Sequence, residues 1–248
     1  MVLKNLNDLR HIVEGGPRKK LVLAAAQDLH SLGAVVKAWK ENIIEPILIG
    51  DKEEIQNICA SNNYDITGVR IIHEPDTDMS VEMAVRLVNN KQADILMKGM
   101  VGTSTLLKCV LNKEWGLRTG NLLSHFALFE VETYHKVIAV TDVAMNIAPN
   151  LKEKIAIVNN SVSCLNKLGY TMPKVAVLGA VEMVNENMEA TLHAALLSKM
   201  NQRDQIKKCI IDGPLAFDNA ISLESAQHKG IRSEVAGDTD LLLMPDIE

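Results

Sequence analysis

The sequence predicts an α/β protein in which parallel sheets are flanked by helices. Two observations carry that reading. Short apolar runs alternate with stretches of helical spacing along most of the chain. The runs themselves are continuously apolar, as in KLVLAAA and EPILI, which is the pattern of strands buried on both faces. The composition agrees: 248 residues, 47% of them hydrophobic, are enough to build real cores.

Taken in order, residues 3–13 have the spacing of a short amphipathic helix, stopped by Gly15, Gly16 and Pro17. Residues 20–26 form the first strand. Residues 30–41 are helical through Leu32, Val35, Val36 and Trp39, and residues 45–49 make the next strand. A helix with Ile55 and Ile58 inward, a short strand at 69–72, and a helix capped by Ser80 follow. That helix carries the stripe Val81, Ala84, Val85 and Val88. It leads to a strand at 93–97.

The polar stretch NKEWGLRTGN then interrupts the series, and we place a domain transition near Asn121, giving domains 1–121 and 122–248. Residues 123–131 and 136–141 read as a hairpin-like pair. A long helix follows with Leu151, Ile155, Val158, Val162 and Leu165 on one face. After it come a strand at 174–178, a helix marked by Met188, Leu192, Ala195, Leu196 and Lys199, a strand at 206–211, a helix at 217–227 and a last strand at 241–244.

Charge and composition exclude several function classes. The net charge is -5, there is no basic run, and aromatic residues make up 3%, which argues against a nucleic-acid groove. No apolar run has the length of a membrane span, and the N-terminus lacks a signal-peptide core. The four cysteines, Cys59, Cys109, Cys164 and Cys209, form no CxxC pair and lie in or beside apolar patterns. They read as buried, reduced thiols of a cytoplasmic protein. No histidine spacing suits a metal, and the fingerprints of dinucleotide sites, P-loops, zincins and kinases are absent.

The stretch ADILMKGMVGTSTLLKCVL passes from strand to glycine-bearing turn to helix. Thr103, Ser104 and Thr105 bring hydroxyls to the helix start. Ser104 and Lys108 are four apart and share a face. A helix start has free N–H groups and a positive dipole end, so Gly102, Thr103, Ser104 and Lys108 form a candidate anion site, although spacing by itself favours the plainer reading in which Thr103 or Ser104 simply caps the helix. Other polar residues are candidates to line a ligand crevice because ligands of open α/β sheets bind at strand C-terminal ends. They are Lys98, Asp142 and Asp212 at such ends, and Ser124 beside His125. Arg118 is either a solvated loop arginine or an anion-holding fork.

Several segments, in order, are familiar: KGMVGTSTLLKCVLNKEWGLRTGNLLSHFALFEV, VTDVAMNIAPNLKEKIAIVNN, VAVLGAVEMVNENMEAT, DGPLAFDNAIS and AGDTDLLLMPDIE. Through them the chain resembles the phosphate acetyl/butyryltransferase family, in its branch for short and branched acyl chains. The resemblance is dense over residues 93–248 and looser before. It implies two α/β domains of the isocitrate dehydrogenase-like class with a cleft between them, and a homodimer or higher homo-oligomer. It implies butyryl-CoA + phosphate = butyryl phosphate + CoA, with CoA and acyl-CoA as substrates, no cofactor, no metal and no covalent acyl-enzyme. It also assigns phosphate or acyl phosphate to Gly102, Thr103, Ser104 and Lys108. The acetyl-transferring relatives have an arginine at the position aligned with Lys108, so the bidentate fork is lost here.

The family's catalytic Ser/Arg/Asp motif has no counterpart before Glu248, and neither does the segment that normally completes the first domain. The catalytic residues are therefore unassigned, and the 248 residues are expected to have weak or no transferase activity. Two alternatives remain at this point. One is a NAD- and metal-dependent hydroxy-acid dehydrogenase on a similar fold; the other is a non-catalytic anion-binding module.

Overall fold

The computed structural model describes residues 2–248. They fall into two compact units, Val13–Gly120 and a second that joins the residues up to Ile12 to Asn121–Glu248. The chain opens with α1 (Asn7–Val13). The Val13–Gly120 unit then runs β1 (Lys19–Ala24), α2 (Leu29–Lys40), β2 (Ile44–Gly50), α3 (Lys52–Ser61), β3 (Arg70–His73), α4 (Thr77–Asn89), β4 (Ile95–Lys98) and α5 (Thr103–Val110). Its sheet is parallel throughout, in the order β3-β2-β1-β4. Both faces are apolar. Val22, Ala24, Ile47 and Ile49 pack on one side against Val81, Ala84 and Val85 of α4. Leu23 and Leu48 pack on the other against Leu32 and Val35 of α2 and Ile55 of α3.

Ser80 does not cap α4. The cap is Asp76, whose carboxylate accepts from the Met79 N–H at 2.9 Å. Ser80 lies one turn further in, fully buried, where its hydroxyl donates to the Ile49 carbonyl at 3.1 Å and accepts from the Ala25 N–H at 2.8 Å. It fastens α4 to the ends of β1 and β2, a role that helix spacing does not reveal.

The other unit contains β5 (Ala127–Phe129), β6 (Ile138–Thr141), α6 (Leu151–Lys167), β7 (Lys174–Leu178), α7 (Glu189–Gln202), β8 (Ile210–Leu215), α8 (Phe217–Ile221), α9 (Leu223–His228) and β9 (Leu241–Leu243). The strand order is β5-β6-β9-β7-β8, with only β5 antiparallel. The hairpin-like pair is therefore real, but β5 is shorter than its apolar run.

Three further expectations need correction. The strand expected at residues 206–211 is displaced to Ile210–Leu215. The Asn201 side chain donates to the carbonyls of Ile206 and Cys209 at 2.9 and 3.0 Å and accepts from the Ile211 N–H, holding 206–209 as a turn. The strand also runs through Pro214, which it tolerates because β8 is an edge. The helix expected at 217–227 breaks at Ser222, which ends α8 and caps α9 by accepting from the Ser225 N–H. Finally, residues 3–6 are extended rather than helical, and they pack with the second unit instead of the first. Leu3 is fully buried in that unit's core, its N–H bonds the Tyr170 hydroxyl and its carbonyl accepts from the Val137 N–H at 2.9 Å. Burial of such a side chain is worth about 1.5–3 kcal/mol, enough to outweigh a frayed helical turn.

All four cysteines are free; Cys59 and Cys209 are buried, while Cys109 and Cys164 are half-buried. Among the described residues no helix is long and apolar enough to cross a membrane.

An ion network closes the N-terminal edge of the second sheet. The buried Lys136 ammonium lies 2.6 Å from Asp240 and 2.8 Å from Asp238, and Lys174 reaches Asp238 at 2.7 Å. Burial alone would raise the Asp238 pKa, but hydrogen bonds from Lys136, Lys174 and His135 hold it well below the usual carboxylate range. A depressed carboxylate stabilises the fold above its unfolded pKa near 4, and that stability is lost as pH falls. Lys136→Ala leaves buried Asp240 without its ion partner, and urea unfolding at pH 7 should show a loss of about 3–5 kcal/mol. The difference from wild type should begin to narrow below about pH 4, where Asp238 protonates in the unfolded chain, and go on narrowing as pH falls toward its depressed value in the fold.

Candidate functional site

In the Val13–Gly120 unit the chain builds outward from β1 to β2 to β3, then returns to place β4 on the other side of β1. The edge above the C-terminal ends of β1 and β4 is thus the switch point where such sheets bind ligands. The backbone there is closely packed. Ala25 leaves β1 with a φ of 50, a left-handed conformation that costs a non-glycine residue about 1 kcal/mol or more. Gly99 donates to the Ala24 carbonyl at 2.8 Å and Met100 to the Ala25 carbonyl at 3.0 Å. A Cβ at Gly99 would strike the Ala25 carbonyl oxygen, so only glycine allows this approach. Lys98 is exposed, and its ammonium donates to the Val101 carbonyl at 2.8 Å, bracing the turn from outside.

The turn delivers the chain to α5, and here the unit departs from its own habit. Asp28, Asp51 and Asp76 cap α2, α3 and α4 with their carboxylates. The cap of α5 is Gly102, which makes no side-chain bond, so neither Thr103 nor Ser104 is the cap. Gly102 has a φ of -63 that any residue adopts, and a Cβ there would meet only the Ser104 hydroxyl at 3.7 Å. Backbone geometry therefore does not demand glycine. What glycine does is leave the N–H groups of the first turn uncovered, at the positive end of a dipole worth roughly half a charge. Gly102, Thr103, Ser104 and Lys108 are all exposed. Lys108 follows Ser104 by one turn on the same exposed face of α5. The structure thus places these four at the start and along one face of a single short helix, with Lys98 bracing the turn before it, while Arg118 lies exposed on the loop after α5.

The remaining candidates belong to the second unit and are not equivalent. Asp142 follows the C-terminal end of β6, is 2% exposed, and accepts four hydrogen bonds. The donors are the N–H groups of Ala144, Met145 and His125 and the Asn146 amide, at 2.6 to 3.1 Å. Burial raises its pKa, but these donors outweigh burial and lower it, so Asp142 is an ionised anchor for the 142–146 loop. Ser124 is half-buried and accepts from Asn160 at 2.9 Å. Asp212 is not at a strand end. It pairs across to Ala176 inside β8, and its carboxylate accepts from the Gly213 N–H. It lines a separate hollow with Asn201, Arg232 and Glu234.

Sequence reasoning missed a buried pair in this unit. Lys154 of α6, 4% exposed, lies 3.2 Å from the Nδ1 of His193 on α7. Burial lowers the Lys154 pKa, and burial followed by the nearby ammonium lowers that of His193. The one available signal was a lysine on the stripe that continues through Ile157 and Val158. Among the described residues no group of three or more His, Cys, Asp or Glu is arranged to hold a metal.

Residues 74–248 match the family model described as phosphate acetyl/butaryl transferase, a span that includes β4, the α5 turn and Asn121–Glu248 of the second unit. The chain belongs to the phosphate acetyl/butaryl transferase family. A phosphate butyryltransferase of Clostridium acetobutylicum is 48% identical over 100% of this chain and 82% of the relative. A phosphate acetyltransferase of Thermotoga maritima is 43% identical over 94% of this chain and 79% of the relative. Among solved structures, a branched-chain phosphotransacylase from Enterococcus faecalis V583 superposes with a TM-score of 0.80 at 32% identity, covering 92% of this chain and 80% of that one. The α/β architecture is therefore the family's own, and the dehydrogenase alternative finds no support among these relatives.

The uncapped turn yields a direct prediction. Gly102→Asp supplies the cap that α2, α3 and α4 already have, so helix content and urea stability should hold or rise by a few tenths of a kcal/mol. The same carboxylate would occupy and repel an anion, and equilibrium dialysis should show phosphate affinity reduced by about tenfold or more.

Proposed function

We infer that this protein is a phosphate acyltransferase that moves a short or branched acyl group between CoA and inorganic phosphate. The observation that carries the site assignment is the α5 N-terminus, left without a carboxylate at the switch edge of a parallel sheet in a member of this family. Phosphate needs N–H donors, hydroxyls and a cation, and the α5 turn supplies all three.

In this reading the N–H groups of the first turn, the hydroxyls of Thr103 and Ser104 and the ammonium of Lys108 hold phosphate with one oxygen free. That oxygen attacks the thioester carbonyl carbon. The C–O bond to phosphate forms, the C–S bond breaks, and CoA leaves as a thiolate that takes up a proton. No atom changes oxidation state, so the reaction as written needs no redox cofactor. Charge that develops on the carbonyl oxygen calls for aligned donors, and holding both substrates together supplies proximity. Lys98, Arg118, Ser124, Asp142 and Asp212 keep the status of candidates, with Asp142 serving the loop and Asp212 the least favourably placed. We assign no general base among these residues.

The same reading makes the protein a cytoplasmic homo-oligomer acting on CoA thioesters and phosphate, with no nucleic acid or membrane as partner. Four unpaired thiols accord with a reducing compartment. Butyryl, isobutyryl and isovaleryl groups differ by about a methyl, worth only about 1–3 kcal/mol in a pocket.

The test is release of CoA from butyryl-CoA with and without phosphate, paired with binding of acyl phosphate. Phosphate-dependent release, at whatever rate, is the expected result. Failure of both release and binding across two- to five-carbon acyl groups would contradict the assignment. Lys108→Ala removes an exposed cation whose contact with an anion is worth up to about 1 kcal/mol. It should therefore raise the KM for phosphate about fivefold with the fold intact, as read by steady-state kinetics and circular dichroism.

A further inference from the structure

Three residues past the end of β1 the chain places Gln27, on the opposite side of β1 from the α5 turn. Its side-chain Oε1 is buried without a hydrogen-bond donor. Its Nε2 makes no hydrogen bond to any of the described residues. The amide carbonyl is seated against Gly50, the last residue of β2, so closely that a Cβ at Gly50 would collide with Oε1. The backbone on either side is pinned. Ala26 donates to the Ile49 carbonyl at 2.9 Å, Asp28 donates to the Ala26 carbonyl at 2.8 Å, and the Asp28 carboxylate is committed to capping α2. Two features are thus combined: an amide with its inner oxygen unpaired, and a glycine that makes room both for it and for the Ala26 backbone N–H, which a Cβ would approach to 3.0 Å. The side-chain oxygens or nitrogens of His125, Ser161, Asn219 and, apart from its ion pair with Lys136, Asp240 are also buried without a hydrogen-bond partner, so what sets Gln27 apart is the glycine seat at Gly50 together with its place at the C-terminal edge of the sheet.

We propose that the Gln27 amide is a substrate-recognition group whose Nε2 donates a hydrogen bond to a phosphate oxygen of the substrate. The proposal rests on the reading above that this sheet edge holds the anionic substrate. Packing on Gly50 fixes the side chain beforehand, so little rotamer freedom is lost on binding. Because no internal bond holds the amide, its outer atom is free to present N–H to an oxyanion. Phosphate oxygens come from two sources here, free phosphate and the phosphate groups of CoA.

The experiment compares wild type with Gln27→Met, which keeps the size without a donor, and Gln27→Glu, which keeps the shape but adds a negative charge. Calorimetry gives the affinity for inorganic phosphate and for CoA, thermal melting gives stability, and kinetics gives KM and kcat. Gln27→Met should melt at or above the wild-type temperature and bind one of the two ligands about tenfold more weakly, with KM raised and kcat within about twofold. The ligand affected identifies the source of the oxyanion. Gln27→Glu should lose more of the same affinity. Gly50→Ala, which displaces the amide, should reproduce the loss. Unchanged affinity for both ligands in both Gln27 variants would overturn the proposal, as would a fall in melting temperature without a change in affinity. If wild type releases no CoA yet the variants lose binding, the transfer reading fails and the role of Gln27 stands. If wild type binds neither ligand, both fall.

Discussion

Parallel strands joined by helices impose one constraint on which the Val13–Gly120 unit depends. Every crossover brings a helix N-terminus, with its unpaired N–H groups, to the same edge of the sheet. Four helices follow strands in this way, and the chain must decide at each what the N–H groups will meet. Three times it supplies an aspartate, and at α5 it supplies glycine. Aspartate caps are worth about 0.5–2 kcal/mol relative to alanine, but glycine comes within a few tenths, so leaving α5 open costs little stability. The opening falls beside the switch point, where the glycine approach of Gly99 and the left-handed Ala25 already shape the backbone.

Much of this architecture was legible in the sequence, because buried parallel strands read as unbroken apolar runs and the helices between them keep their periodicity. The errors have local physical causes. Ser80 resembles a cap by position, but its hydroxyl is spent on bonds to two strand ends. The strand near residue 210 was placed early because Asn201 arrests 206–209 as a turn, through side-chain hydrogen bonds that leave no mark on periodicity. Leu3 belongs to the core of a unit that otherwise begins more than one hundred residues later, and no local pattern announces that.

The candidate site was legible to a different degree. The run of Gly102, Thr103, Ser104 and Lys108 was visible, but spacing favoured capping over anion binding, and only the geometry of Gly102 removes the capping role of the hydroxyls. Asp212 reads like a strand-end residue because Gly-Pro follows it, yet an edge strand carries Pro214 without ending. Gln27 gave no signal at all. Its significance lies in an unpaired oxygen and in a glycine on the neighbouring strand, both features of packing rather than of sequence.

Stability and binding are concentrated at different places. The Lys136, Lys174, Asp238 and Asp240 network joins opposite charges at the N-terminal edge of one sheet, whereas the α5 turn leaves its donors exposed at a C-terminal edge of the other. The central claim is that those donors take the phosphate. Amide chemical shifts measured by NMR during a titration with inorganic phosphate test it most directly. The N–H resonances of Thr103, Ser104 and Thr105 should move together and saturate. Saturating shifts elsewhere, with these three unmoved, would contradict the account.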